Sequence, residues 1–100
     1  MSANDMNRWL NKYDPLYSWR EVSAEEAQDL ANLGHPTVAS VYEPQGPGHI
    51  GIVRPGEMLN GPALAQAGTS NVNHAHVYDF FPREGTQFFV NDAGAVVGLP

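Results

Sequence analysis

A histidine opens an apolar run directly after a glycine-rich turn, in Gly46-Pro-Gly-His-Ile-Gly-Ile-Val53. Alternation along a strand puts His49, Gly51 and Val53 on one face, and Ile50 and Ile52 on the other. Imidazole is the side chain best suited to moving protons near neutral pH. With no side chain at Gly51, there is room for a group to approach it. The same residues also describe a partly exposed histidine at a strand end, with no chemistry attached. Leu64-Ala-Gln-Ala-Gly68 and Ser70-Asn71 follow. In an antiparallel arrangement Gln66 or Asn71 would reach the second ring nitrogen of His49 and orient it. Both amides read equally well as solvated polar residues. The candidate ligand-binding set is therefore His49, Gly51, Gln66 and Asn71. The candidate catalytic set, for an active enzyme, is His49, Gln66 and Asn71. The nucleophile is the missing part: the chain has no cysteine. Ser40, on the preceding strand, is one hydroxyl among many.

A second grouping is His74-Ala-His76. On a strand both imidazoles would face one way, an arrangement that suits zinc or nickel. No third ligand is fixed by spacing, although Asp79, Glu84 and Asp92 follow nearby. The pair reads more simply as solvated histidines, so neither a metal nor any other cofactor is expected.

These residues need elements to hold them. Met6, Trp9, Leu10 and Tyr13 have helical spacing, with Ser2 as cap and Asp5 three residues on, so a helix is expected over 3–13. Asp14-Pro15 ends it. Residues 14–21 read as a loop carrying Tyr17 and Trp19, and Trp9 and Trp19 are assigned to the core. Ser23-Ala-Glu-Glu26 is a capping box, Gly34 a C-terminal stop, and a second helix is expected over 23–33. Glu21, Glu25, Glu26 and Asp29 form a solvated acidic face near its start. Strands are expected over 37–43, 49–54 and 62–67, joined as an antiparallel meander, and a fourth over 86–90. His76–Phe81 fits either a helical turn or a strand. Phe80-Phe81 and Phe88-Phe89 would each divide between two faces, placing one ring of a pair at an interface or both under helices. The class is α+β: two N-terminal helices, then a small antiparallel sheet of about four strands.

One domain is expected, spanning all 100 residues. A net charge of -6 removes the basic footprint that nucleic acid and anionic membrane surfaces require. No apolar run approaches the ~20 residues of a membrane span. The first ten residues lack a basic stretch followed by an apolar one, which reads as a cytoplasmic chain.

Gly48-His-Ile-Gly-Ile-Val53 and Ala63-Leu-Ala-Gln-Ala-Gly68 together resemble the histidine-bearing half of papain-like cell-wall amidases of the CHAP and NlpC type. Asn4-Asp-Met6, Trp19-Arg-Glu-Val22 and Glu26-Ala-Gln-Asp-Leu-Ala-Asn-Leu-Gly34 resemble the region between nucleophile helix and sheet in some of these proteins. The resemblance covers about residues 3–90. It implies His49 as base, Gln66 or else Asn71 as orienting residue, and a partial papain-like core. It also implies a cysteine at the start of an upstream helix, which this chain lacks. A sheet without that helix would leave one face bare, and bare apolar area marks an interface. A dimer, or a protein partner covering the sheet, is therefore expected.

Three functions remain open. The chain is a non-catalytic papain-like module that self-associates and binds a peptide, a glycan fragment or a protein. Or it is a hydrolase using His49 with a serine or a partner's nucleophile. Or it is a small structural or regulatory homo-oligomer without ligand. The absence of cysteine points away from an enzyme.

Overall fold

The computed structural model describes residues 2–13, 19–65 and 75–92, with no side-chain account of residues 12 and 13. The Ser2 hydroxyl accepts from the Asp5 amide at 3.1 Å, and the Asp5 carboxylate accepts from the Ser2 amide at 3.2 Å. That reciprocal cap starts α1, Ala3–Tyr13, at the residues its spacing predicts. Helix α2 spans Ala24–Asn32. Ser23 accepts from the Glu26 amide at 3.1 Å, but the Glu26 carboxylate turns to Arg20 instead of closing the box. At the other end the Gly34 amide donates to Ala31 and the His35 amide to Leu30. This Schellman stop needs the positive φ of Gly34, +94°.

Among the described residues, four strands form one antiparallel sheet: β1 Trp19–Val22, β2 Thr37–Val41, β3 His49–Ile52 and β4 Gln87–Asn91. The α+β class holds, with one strand more in the N-terminal half than expected. β1 takes up the end of the segment read as a loop; residues 14–18 lie outside the described residues. Of the meander, the β2–β3 hairpin forms, while the described part of its third segment, 62–65, makes no strand. The strand order is β1-β4-β2-β3, so only β2 and β3 are a hairpin and β4 returns between β1 and β2. The reason lies in Phe88-Phe89-Val90, all three buried. Neighbouring strand residues point to opposite faces, so a run buried at every position needs a central strand covered on both sides. Both Phe88 and Phe89 thus lie under helices. Over 62–65, the described part of the strand expected at 62–67, there are only isolated contacts. Leu64 bridges Val53 just past the end of β3, and the Ala65 amide donates to the carbonyl of Ile52, the last residue of β3, at 2.8 Å. The ambiguous segment is a helical turn, α3, Val77–Phe80.

The two sheet faces differ. Ala39, Val41, Phe88 and Val90 join Ala27 and Ala31 of α2 with Val53, Leu64, Val77 and Phe81 in the main apolar cluster. Gln28 of α2 closes this side, accepting from the Ala63 amide at 2.7 Å and donating to the Arg54 carbonyl at 3.0 Å. The other face carries α1. There the Asn7 amide donates to Ser40 Oγ at 2.9 Å and to Gln87 at 3.0 Å. Glu21, Glu25, Glu26 and Asp29 are exposed, as a solvated face requires. Among the described residues, no helix is long and apolar enough to cross a membrane.

Arg20 joins β1 to the end of β4, its guanidinium 2.8 Å from the Asp92 carboxylate. That contact holds Asp92 below the usual carboxylate range. The Asn60 amide and the His76 backbone N–H do the same for Asp79. The Ser2 backbone and hydroxyl do so for Asp5. A carboxyl depressed in the folded state contributes stability above its unfolded pKa, and that contribution is lost as pH falls through the folded value. The urea midpoint is therefore expected to be flat above about pH 5 and to fall below about pH 4. Asp92→Asn should lower the neutral-pH midpoint and shrink the acid drop. An unchanged drop in that variant would remove Asp92 from the account.

Candidate functional site

Asn4, in the first turn of α1, fixes the turn that delivers His49. Its side-chain nitrogen donates to the Glu43 carbonyl at 2.8 Å and the Gly46 carbonyl at 2.6 Å, and its oxygen accepts from the Glu43 amide at 2.8 Å. Its backbone N–H donates to the Pro47 carbonyl at 2.8 Å. Gly48 follows at φ +77°, where a β-carbon would strike the Asn4 oxygen. The N-terminus of α1 is thereby locked against the entry to β3.

His49 pairs with Val41, and its side chain is exposed at the sheet edge. The ring meets Phe81 edge-on, with centroids 5.8 Å apart. Phe81 and Val41 belong to the α2 side. His49 therefore faces away from α1, although the α1 N-terminus touches the adjoining turn. Ser40 is on the α1 side, fully buried and hydrogen-bonded to Asn7. The sheet itself separates that hydroxyl from the imidazole. Gly51 has the small size expected, but the space is filled: a β-carbon there would lie 2.7 Å from Leu64 and 3.4 Å from Phe81. Its missing side chain admits the chain's own core. Gln66 and Asn71 lie outside the described residues, as does His74.

His76 is buried, not solvated. Its Nε2 lies 3.1 Å from the Glu57 carbonyl, which a protonated Nε2 would serve as donor. Its backbone N–H donates to Asp79 at 2.8 Å. Among the described residues, no three His, Asp or Glu side chains group to hold a metal.

A concavity lies on the other face. A groove of 410 Å³ runs between α1 and the sheet, lined by Met6, Trp9, Leu10, Trp19, Val38 and Ile50. Ile52 continues the apolar edge, 61% exposed, beside Ile50 at 40%. Trp9 and Trp19, assigned to the core, are half-buried groove walls. The geometry explains the opening. Four strands span about 14 Å between outer axes. One helix covers about 10 Å. Asn7 and Asn11 hold α1 to Ser40 and Gln87, so α1 lies along β2 and β3 without sealing the space above Val38 and Ile50. The signal was present in the alternation, which put Ile50 and Ile52 together on the face opposite His49.

No family model matches this chain, and no curated protein matches it.

Proposed function

We propose that this chain is a non-catalytic module, related in form to the histidine-bearing half of papain-like amidases, that binds protein through its α1 face. Self-association into a dimer is the first use of that face. The observation that supports this reading is the apolar groove with Ile50 and Ile52 exposed beside it. Burial of such surface contributes roughly 25 cal/mol per Å². The net charge of -6 remains a reason to set nucleic acid aside. A hydrolase with a nucleophile from another chain is the weaker reading. Phe81 packs against the His49 ring, Leu64 fills the flank at Gly51, and no thiol exists in the sequence.

Light scattering over a dilution series tests the proposal. The expected result is a dimer that Ile52→Glu converts to a monomer and His49→Ala leaves intact. A charge in a desolvated interface costs several kcal/mol, so loss of the dimer should be complete at micromolar concentration. A monomer at every concentration would overturn self-association through this face. A dimer indifferent to Ile52→Glu would move the contact elsewhere.

A further inference from the structure

Asn60 and Gly61 are adjacent, in the turn before Pro62. An asparagine followed by glycine is the pair most open to cyclisation. Without a β-carbon on the second residue, its backbone nitrogen can approach the asparagine side-chain carbonyl carbon. Here both arms of that side chain are engaged. Asn60 Nδ2 donates to Asp79 at 2.9 Å, and Asn60 Oδ1 accepts from Arg83 at 2.7 Å. The Asn60 carbonyl accepts from the Tyr78 amide at 3.0 Å. Gly61 sits at φ +82° with the Tyr78 ring packed where a β-carbon would point. The Arg83 guanidinium covers that ring at 4.5 Å. The second Asp79 oxygen accepts from the His76 amide and so caps α3. One asparagine is therefore clamped by two charged residues and joined to a helix cap.

We infer that Asn60 is a deamidation site that the folded chain holds shut, and that its conversion releases the cap of α3. In the step, the Gly61 nitrogen attacks Asn60 Cγ. The N–Cγ bond forms, the Cγ–Nδ2 bond breaks, and the Gly61 amide proton leaves with Nδ2 as ammonia. Water then opens the succinimide at either carbonyl, giving aspartate or isoaspartate. Aspartate places a carboxylate oxygen where Nδ2 had donated to Asp79; isoaspartate carries Cγ into the main chain and leaves its free carboxylate on Cα, and both products lack the Nδ2 donor. Asp79 loses that donor and gains a like charge, and its hold on the His76 amide weakens. Arg83 remains as the cation beside the new carboxylate.

The test is peptide mapping by mass during incubation at mildly alkaline pH. It compares the folded chain, the same chain in urea, and the variants Arg83→Ala and Asp79→Ala. A group that reacts only after local opening is slowed by the fraction open. Conversion at Asn60 is expected to be at least about tenfold slower in the folded chain than in urea, and faster in both variants. Converted protein, once separated, should melt at a lower temperature than the starting material. Arg83 is exposed, so Arg83→Ala keeps the fold and decides the matter if Asp79→Ala does not. Equal rates in folded chain and urea would overturn the inference. So would an Arg83→Ala rate equal to that of the unsubstituted chain.

Discussion

Gly48→Ala is expected to lower stability by about 2–4 kcal/mol and to disturb the His49 end of β3. Two independent costs combine. At φ +77° a β-carbon adds ~1–2 kcal/mol of left-handed strain. It also lies 2.8 Å from the Val41 carbonyl and on top of the Asn4 oxygen. The carbonyl belongs to a strand and cannot swing aside, so Asn4 must. Asn4 then gives up bonds to the Glu43 and Gly46 backbone, at ~1–3 kcal/mol for buried groups left unpaired. Against a total of about 5–15 kcal/mol for a domain of this size, that is a large share. Urea melts of Gly48→Ala, Asn4→Ala and the double variant check it. The double variant should cost less than the sum, because both changes break the same clamp. A Gly48→Ala midpoint equal to that of the unsubstituted chain would mean the clamp contributes nothing.

Phe89→Ala is expected to cost about 3–5 kcal/mol. Phe89 is fully buried in the central strand β4 and sits on the α1 side, opposite Val38 and Glu21 in the two ladders. Its removal opens a cavity beneath a helix that already leaves a groove beside it. The expected signature is double: a lower melting temperature, and a larger loss of near-ultraviolet signal from the neighbouring tryptophans than an equal loss of stability elsewhere produces. Phe88→Ala opens a hole on the α2 side and should leave that tryptophan signal closer to normal. Identical spectra from the two variants would contradict the assignment of the rings to opposite faces.

The helices were legible because their ends are written in short-range chemistry. Ser2 with Asp5, and Ser23 with Gly34, name their own boundaries, and the structure places both helices within a residue or so. The β2–β3 hairpin was legible for the same reason, from Pro44 to Gly48. β1 was not. Trp-Arg-Glu-Val is four residues with two charges in the middle, and it forms a strand only because β4, remote in sequence, pairs with it. The order of the sheet was hidden for that reason as well, although three consecutive buried residues at 88–90 were a clue. At the site, the faces of His49 and Ile50 followed from alternation. What occupied those faces did not. The small size of Gly51 implies open space, yet Leu64 and Phe81 arrive there from segments whose course no local rule predicts. The groove depended on how far α1 reaches across the sheet, which Asn7 and Asn11 decide by bonding Ser40 and Gln87.

The placement of β4 between β1 and β2 also sets a timetable. Val41 meets His49 after a short turn, so β2 and β3 can pair early. Arg20 must wait for Val90. Closing the longer loop costs about 2 kcal/mol more than closing the hairpin. On a ribosome adding ~5–20 residues per second, the wait lasts roughly 4–14 seconds. Through that interval both edges destined for β4 are unsatisfied, and an extended segment of any neighbouring chain can take its place. A nascent chain of this fold is therefore most exposed to mispairing just before its last strand emerges, and crowding on polysomes should harm its yield more than it harms the finished protein.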